Sequence, residues 1–162
     1  MAEPNPKDIY NQAEAEVLAL LQADPEIVAA FKTFETRLKD TRRYLEDEIP
    51  AVAVGALGSF ERRTQNGLVE VVVELVLRVF SRGGDRDAVT ELVQRLTALV
   101  GHKIRLEGWN HAPFQAFAED VELDPVQFQD AISDGPAAAP ASYDVEGYLG
   151  FRLAVDIPRP SA

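Results

Sequence analysis

Cysteine is absent from the 162 residues of this chain. Its absence excludes a disulfide framework, a thiol nucleophile and a thiolate metal site, and it suits a reducing cytoplasm. Residues 1–8 lack the basic and apolar regions of a signal peptide, and no apolar run in the chain is long enough to span a membrane. We therefore expect a protein without a membrane segment that is made in the cytoplasm.

Positive charge is scarce. Lysine and arginine number 16 against 27 aspartates and glutamates, which gives a formal net charge of −11. A groove that binds nucleic-acid phosphates needs positive charge, so the net negative charge argues against direct DNA binding. The length predicts a single domain over residues 1–162, with a loose N-terminal arm at 1–7, an irregular insert at 108–142 and a C-terminal tail at 158–162.

Groups suited to catalysis are also few. The two histidines, His102 and His111, have only Glu107 nearby as a further metal ligand. Ser59 lacks the second glycine of a nucleophile elbow, and residues 83–86 lack the lysine of a phosphate-binding loop. The sequence therefore predicts no catalytic residue, no metal and no cofactor, and we expect the protein not to be an enzyme.

The strongest pattern in the chain is an alternation between Leu68 and Arg82. One parity is wholly apolar, and the other carries Glu70, Glu74 and Arg78 among apolar residues. Because successive side chains of a strand point to opposite faces, this pattern predicts a long strand with one buried face and one mixed face. Glu70 and Glu74 would lie about 13 Å apart, too far for a paired acid and base. We interpret Glu70, Glu74 and Arg78 as a candidate lumen or intersubunit face.

A hairpin is predicted at Asn66-Gly67, because both central residues of a type I′ turn need positive φ. Its first arm is the strand pattern at 51–63, and the candidate contact residues near its tip are Arg62, Arg63, Gln65 and Asn66. A final strand alternates from Gly147 to Ile157.

Helical spacing predicts a first helix through Ile9 and Leu21, and Asp24-Pro25 predicts the cap of a second helix that continues to Tyr44. Asp85 is the predicted cap of a third helix, which carries an apolar stripe from residue 88 to 100 and ends with Gly101 at the C′ position.

Two shorter elements complete the prediction, a strand at 104–106 and a helix from Asp124-Pro125 through Ile132. The resulting fold class is α+β, with a mostly antiparallel sheet of about four strands and helices on one face.

An aromatic cluster at Trp109, Phe114 and Phe117 falls in the irregular insert. It is equally compatible with an exposed contact patch and with a small satellite core under a long loop.

The order of these segments resembles the tail terminator, or tail completion, proteins of long-tailed bacteriophages and related tail-like particles. The resemblance is carried by "AEVLALLQADPEI", "IPAVAVGALGSFERR", "LVEVVVELVLRVFSR", "DAVTELVQRLTALV" and "GYLGFRLAVDIP", and it covers about residues 9–157. The second helix and the insert at 108–144 are longer than that family's pattern predicts.

The resemblance implies a structural virion protein at the head-proximal end of the tail. It would form a hexameric ring that caps the tail tube, stops its growth and meets the head-completion proteins, while DNA passes through the lumen. The alternatives are another minor tail or head–tail connector subunit, a non-catalytic α+β interaction or regulatory domain, and, least favoured, a small enzyme that uses carboxylates such as Asp120, Glu122 and Asp124.

Overall fold

The computed structural model describes residues 5–37, 44–107, 127–132 and 142–158. Within these ranges the helices are α1 (Ile9–Gln22), α2 (Pro25–Ala30) and α3 (Arg86–Glu107). The strands are β1 (Thr33–Glu35), β2 (Ala51–Gln65), β3 (Leu68–Gly83), β4 (Gln127–Ile132) and β5 (Tyr143–Pro158), and a short 3₁₀ helix spans Glu46–Glu48.

The strands form one sheet in the order β1-β2-β3-β5-β4. β1 runs parallel to β2, and the other neighbouring pairs are antiparallel. The predicted α+β class with a mostly antiparallel sheet is confirmed, and the sheet has five described strands where about four were expected.

The alternation along β3 divides the sheet into a buried apolar face and a polar face, as predicted. Val73, Leu75, Leu77 and Val79 belong to one apolar core together with the buried residues of α1 and α3. The helices pack on this face because their apolar stripes and the apolar parity of β2, β3 and β5 leave water together.

The hairpin between β2 and β3 is also as predicted. Asn66 has φ 52° and Gly67 has φ 76°, the left-handed values that a tight turn of this kind requires. The two arms have 15 and 16 residues, and the register shifts between Ala56 and Gly58 and again between Glu61 and Arg63. Such β-bulges bend and twist a strand, so the outer arm of the hairpin is not flat.

The second helix is much shorter than predicted. Asp24 caps it, accepting hydrogen bonds from the backbone N–H groups of Glu26 and Ile27, but the helix ends at Ala30. The prediction that it continues to Tyr44 is wrong, because Phe31 is extended and Thr33–Glu35 pair with Ala51–Ala53 of β2. Strand pairing therefore overrides a spacing of apolar residues that also suits a helix.

The third helix is longer than predicted. It continues to Glu107, so both the strand at 104–106 and the C′ position of Gly101 are wrong. Ile104 is buried in the main core, one turn beyond the predicted stripe. A Cβ on Gly101 would lie 3.2 Å from Leu149 Cδ2, which indicates that this glycine allows α3 to approach β5 closely.

The predicted helix from Asp124-Pro125 through Ile132 is wrong over the described residues. Gln127–Ile132 form β4, which pairs antiparallel with residues 143–148 of β5. Pairing satisfies backbone groups that β5 would otherwise present at a sheet edge.

Candidate functional site

The face of the sheet opposite the helices, here called the polar face, carries the even-numbered residues of β3 from Glu70 to Arg82 and their partners on β2 and β5. Register places Glu74 beside Arg152, Arg78 beside Tyr148, and Arg82 beside Asp144. All three candidate residues Glu70, Glu74 and Arg78 thus share one face, as their spacing predicts.

Ion pairs that each join two strands run along the polar face. Arg62 Nε lies 2.8 Å from Glu70 Oε1, and Arg152 Nη2 lies 3.4 Å from Glu74 Oε1. Towards the other end, Arg78 Nη2 lies 3.0 Å from Glu146 Oε2, and Arg82 Nε lies 2.7 Å from Asp144 Oδ1. Each pair contains one arginine and one carboxylate, so these charges neutralise each other locally.

Exposure differs strongly along this row of pairs. The Glu70 side chain is 2% exposed and that of Asp144 is 5% exposed, whereas Glu74 and Arg152 are 40% and 43% exposed. A buried pair is costly to break and favours one register, while an exposed pair contributes little to stability. Of the three predicted residues, Glu74 and Arg78 offer accessible surface, whereas Glu70 is buried and pairs with a partly exposed Arg62.

Arg78, Glu146 and Tyr148 form a compact cluster at the centre of the polar face. Arg78 Nη2 donates to Glu146 Oε2 and to the Tyr148 hydroxyl, both at 3.0 Å, and the guanidinium carbon lies 4.9 Å from the Tyr148 ring centroid. The Tyr148 hydroxyl donates to Glu146. Within the described residues, Arg78 Nε is buried without a hydrogen-bond partner.

The pKa values of the arginine and the tyrosine in this cluster are both raised above their ordinary values. Burial by itself lowers the pKa of Arg78, but the hydrogen bonds to Tyr148 and Glu146 outweigh it, so the pKa is raised. Burial, reinforced by the hydrogen bond to Glu146, raises the pKa of Tyr148 above 10.0. The hydrogen bonds of this cluster join β3 to β5 and favour one register between these strands.

The hairpin exposes apolar surface. Leu57, at the first bulge, is 71% exposed, Phe60 is 40% exposed and Leu68 is 38% exposed. The Arg152 guanidinium lies 5.7 Å from the Phe60 ring centroid. Of the predicted tip residues, Arg62 points to Glu70 and Asn66 occupies the turn, while the side chains of Arg63 and Gln65 lie outside the described part.

Other predicted residues fall where the structure gives no description. Trp109, Phe114 and Phe117 lie outside the described residues, as do His111 and the acidic residues Asp120, Glu122 and Asp124. His102 is described and lies exposed in the last turns of α3. No cluster of three or more metal-ligating side chains occurs in the described ranges, and no described helix is long and apolar enough to cross a membrane.

The β5 half of the polar face was not predicted from the sequence. Asp144, Glu146, Tyr148 and Arg152 occupy the second parity of a strand from which only the apolar parity was read. Along this parity, both β3 and β5 carry charged residues of opposite sign, and this pattern would have indicated that the two strands pair through them.

A second missed feature is a small core at the far end of the polar face. Tyr44 is buried and stacks on Phe80 with ring centroids 5.4 Å apart, and Ala51 and Ile49 pack with them. Arg82 Nη1 donates to the Tyr44 carbonyl at 2.9 Å, which joins this core to the row of ion pairs.

Neither models of known protein families nor curated protein sequences match this chain.

Proposed function

We propose that this protein is a structural, non-catalytic subunit of a phage-type tail, a tail terminator that assembles as a hexameric ring. The ring would cap the tail tube, end its polymerisation and meet the head-completion proteins at the head-proximal end of the virion, after assembly in the host cytoplasm. The main support for this proposal is the long β2–β3 hairpin, on which the apolar residues Leu57, Phe60 and Leu68 are exposed.

Exposed apolar residues on a long hairpin support assembly. A closed ring is built from heterologous contacts, in which one patch of each subunit meets a different patch of the next. Leu57 and Phe60 offer apolar area, and the neighbouring Glu74–Arg152 pair remains partly exposed. Apolar residues beside partly accessible charges are typical of the composition of protein–protein interfaces.

The charge distribution supports a role around DNA without binding to it. The chain has a net charge of −11, and the arginines described on the polar face are paired with carboxylates. Cations held in such pairs are poor counterions for phosphate, and the net negative field repels a polyanion. DNA would pass through a lumen of such subunits without adhering to it.

The direct test is the mass and symmetry of the purified protein. Native mass spectrometry over a range of concentrations should show a species of six subunits, and negative-stain electron microscopy should show rings with a central opening. A chain that remains monomeric at its highest soluble concentration, and does not associate with tube protein encoded beside it, would contradict the proposal.

A further inference from the structure

A cavity of about 550 Å³ lies between the N-terminal half of α1 and the bulged part of β2. Tyr10 and Glu14 line it from the helix, and residues 55–58 line it from the strand. The volume lies within the range of sites that bind small molecules or inserted side chains. The cavity shares none of the ion pairs of the polar face.

Glu14 is the unusual group in this cavity. The residue is only 6% exposed, although it carries a carboxylate. Glu14 Oε1 accepts a hydrogen bond from the Ala56 backbone N–H at 2.9 Å, which is the one interaction of this side chain within the described residues. Glu14 lines the cavity, and its second oxygen is not a fully enclosed atom without a partner, so we infer that this oxygen faces the cavity.

A carboxylate buried to this extent is costly unless its charge is compensated. Glu14 forms no ion pair within the described residues, and Ala56 supplies a single neutral donor. The free oxygen is therefore positioned to accept from a charged nitrogen that enters the cavity.

Charges of both signs surround the mouth of the cavity. Asp8, which accepts a hydrogen bond from Asn11 Nδ2 at 2.8 Å, adds a second carboxylate to the lining. Lys7 and Arg37 also line the cavity, and both are exposed. The acid at depth and the cations at the mouth are complementary to a group that carries a cation at one end and a carboxylate at the other.

We propose that this cavity binds a zwitterionic group, with an ammonium or guanidinium on Glu14 and a carboxylate on Lys7 and Arg37. Two sources carry this chemistry, a free basic amino acid and a basic side chain next to an acidic one on a partner protein. The cavity and the surface proposed for ring contacts share Leu57, but the charged groups that would hold the ligand, Glu14, Lys7 and Arg37, are not among the residues assigned to that surface. Ligand binding and ring formation are therefore tested by separate measurements.

The test titrates free L-arginine into the intact protein and follows backbone amide shifts by NMR. The amides of residues 55–58 should shift with saturable behaviour. Glu14→Gln should weaken binding by at least about tenfold, because a charge-assisted hydrogen bond is lost. Glutamine keeps an oxygen acceptor for the Ala56 N–H, so this variant should remain folded. Glu91→Gln, an exposed acid on α3, makes the same change in net charge and should leave binding unaltered.

Further ligands separate the two ends of the site and the two sources. Agmatine, which lacks the carboxylate, should bind more weakly than L-arginine to the wild type. Lys7→Gln with Arg37→Gln should remove that difference, and this pair of exposed substitutions serves as the test if Glu14→Gln does not fold. Tighter binding of the capped peptide acetyl-Arg-Asp-amide than of L-arginine would point to a protein partner, and the reverse would point to a free amino acid.

Equal affinity of L-arginine for the wild type and Glu14→Gln, or no saturable shift at residues 55–58 with any of these ligands, would overturn the proposal. A six-subunit species in native mass spectrometry, seen as a ring by electron microscopy, would still support the proposed function in that case.

Discussion

Arg82 and Asp144 form a 2.7 Å ion pair between β3 and β5, and their side chains are only 18% and 5% exposed. The same arginine donates to the Tyr44 carbonyl at 2.9 Å. One guanidinium therefore connects the two central strands to the segment that precedes β2. The ion pair at this end of the polar face therefore also helps to hold the chain segment before β2 against the sheet.

Removing one partner of this pair should be strongly destabilising. We expect Asp144→Ala to lower the free energy of unfolding by about 3 kcal/mol, because Arg82 would keep its charge in a largely buried position. Urea unfolding followed by circular dichroism measures the change. Glu91→Ala, which breaks the exposed Glu91–Arg95 pair on α3, is the control and should cost no more than about 0.5 kcal/mol. Equal losses in the two variants would show that burial of the Arg82–Asp144 pair has no special weight.

Gly83 and Val89 should be coupled through direct contact. A Cβ on Gly83 would lie 2.5 Å from Val89 Cγ2, so Gly83→Ala forces the start of α3 away from the end of β3. We expect a loss of about 1–3 kcal/mol from overpacking. In a Val89→Ala background the same substitution should cost at least about 1 kcal/mol less, as a double-mutant cycle would show. Additive effects of the two substitutions would contradict this close approach.

The Asp24 cap should make stability depend on acidity. Hydrogen bonding from the Ile27 N–H, together with the Glu26 N–H and Lys103, holds the pKa of Asp24 below its ordinary value of 3.8. A carboxyl with a lowered folded-state pKa contributes stability above its unfolded pKa, and this contribution is lost as the pH falls through the folded value. Stability relative to an Asp24→Ala variant should therefore be constant at neutral pH and should shrink in strong acid.

Thermal unfolding at a series of pH values measures this difference for Asp24. Asp24→Asn is the matched control, since asparagine is also a favourable cap but does not titrate. The wild type should lose stability relative to Asp24→Asn over the same acidic range. A difference that stays constant down to the most acidic pH would show that the cap does not depend on charge.

The apolar residues of the hairpin should govern assembly if the proposed ring forms. We expect Leu57→Lys to reduce the population of the ring by at least about tenfold, because a desolvated charge would replace apolar contact area. Mass photometry at matched concentrations measures the distribution of species. Leu106→Lys is the control, since Leu106 is also exposed, at 54%, but lies on α3. An intact ring in the Leu57→Lys variant would place the intersubunit contact elsewhere.

Much of the central hairpin could be predicted because its determinants are local. Asn66-Gly67 adopts positive φ for reasons contained in two residues, and the alternation along β3 records which face is buried. Asp24-Pro25 likewise marks a helix start through its own chemistry. The length of α2 was not predictable in this way, because Thr33–Glu35 are extended only through pairing with β2.

The polar face of the candidate site was also predicted only in part. The sequence placed Glu70, Glu74 and Arg78 on one face, but it did not show that Glu70 would be buried against Arg62 while Glu74 remained accessible. Tyr148, a partner of Arg78 on β5, lies 70 residues further along the chain. No local pattern specifies which residues meet across such a sequence separation.

Local sequence was sufficient to specify the hairpin turn, the N-cap of α2, the long amphipathic strand and the negative charge, since each depends on conformational preference or composition. Three features required tertiary structure: the formation of β1 and β4 as strands, the continuation of α3 past Gly101, and the partners in the four arginine pairs described on the polar face. These features depend on which backbone edges and charges are brought together when the sheet forms. In the complete fold, buried backbone and charged groups must find hydrogen-bond partners, and this requirement fixes the pairing.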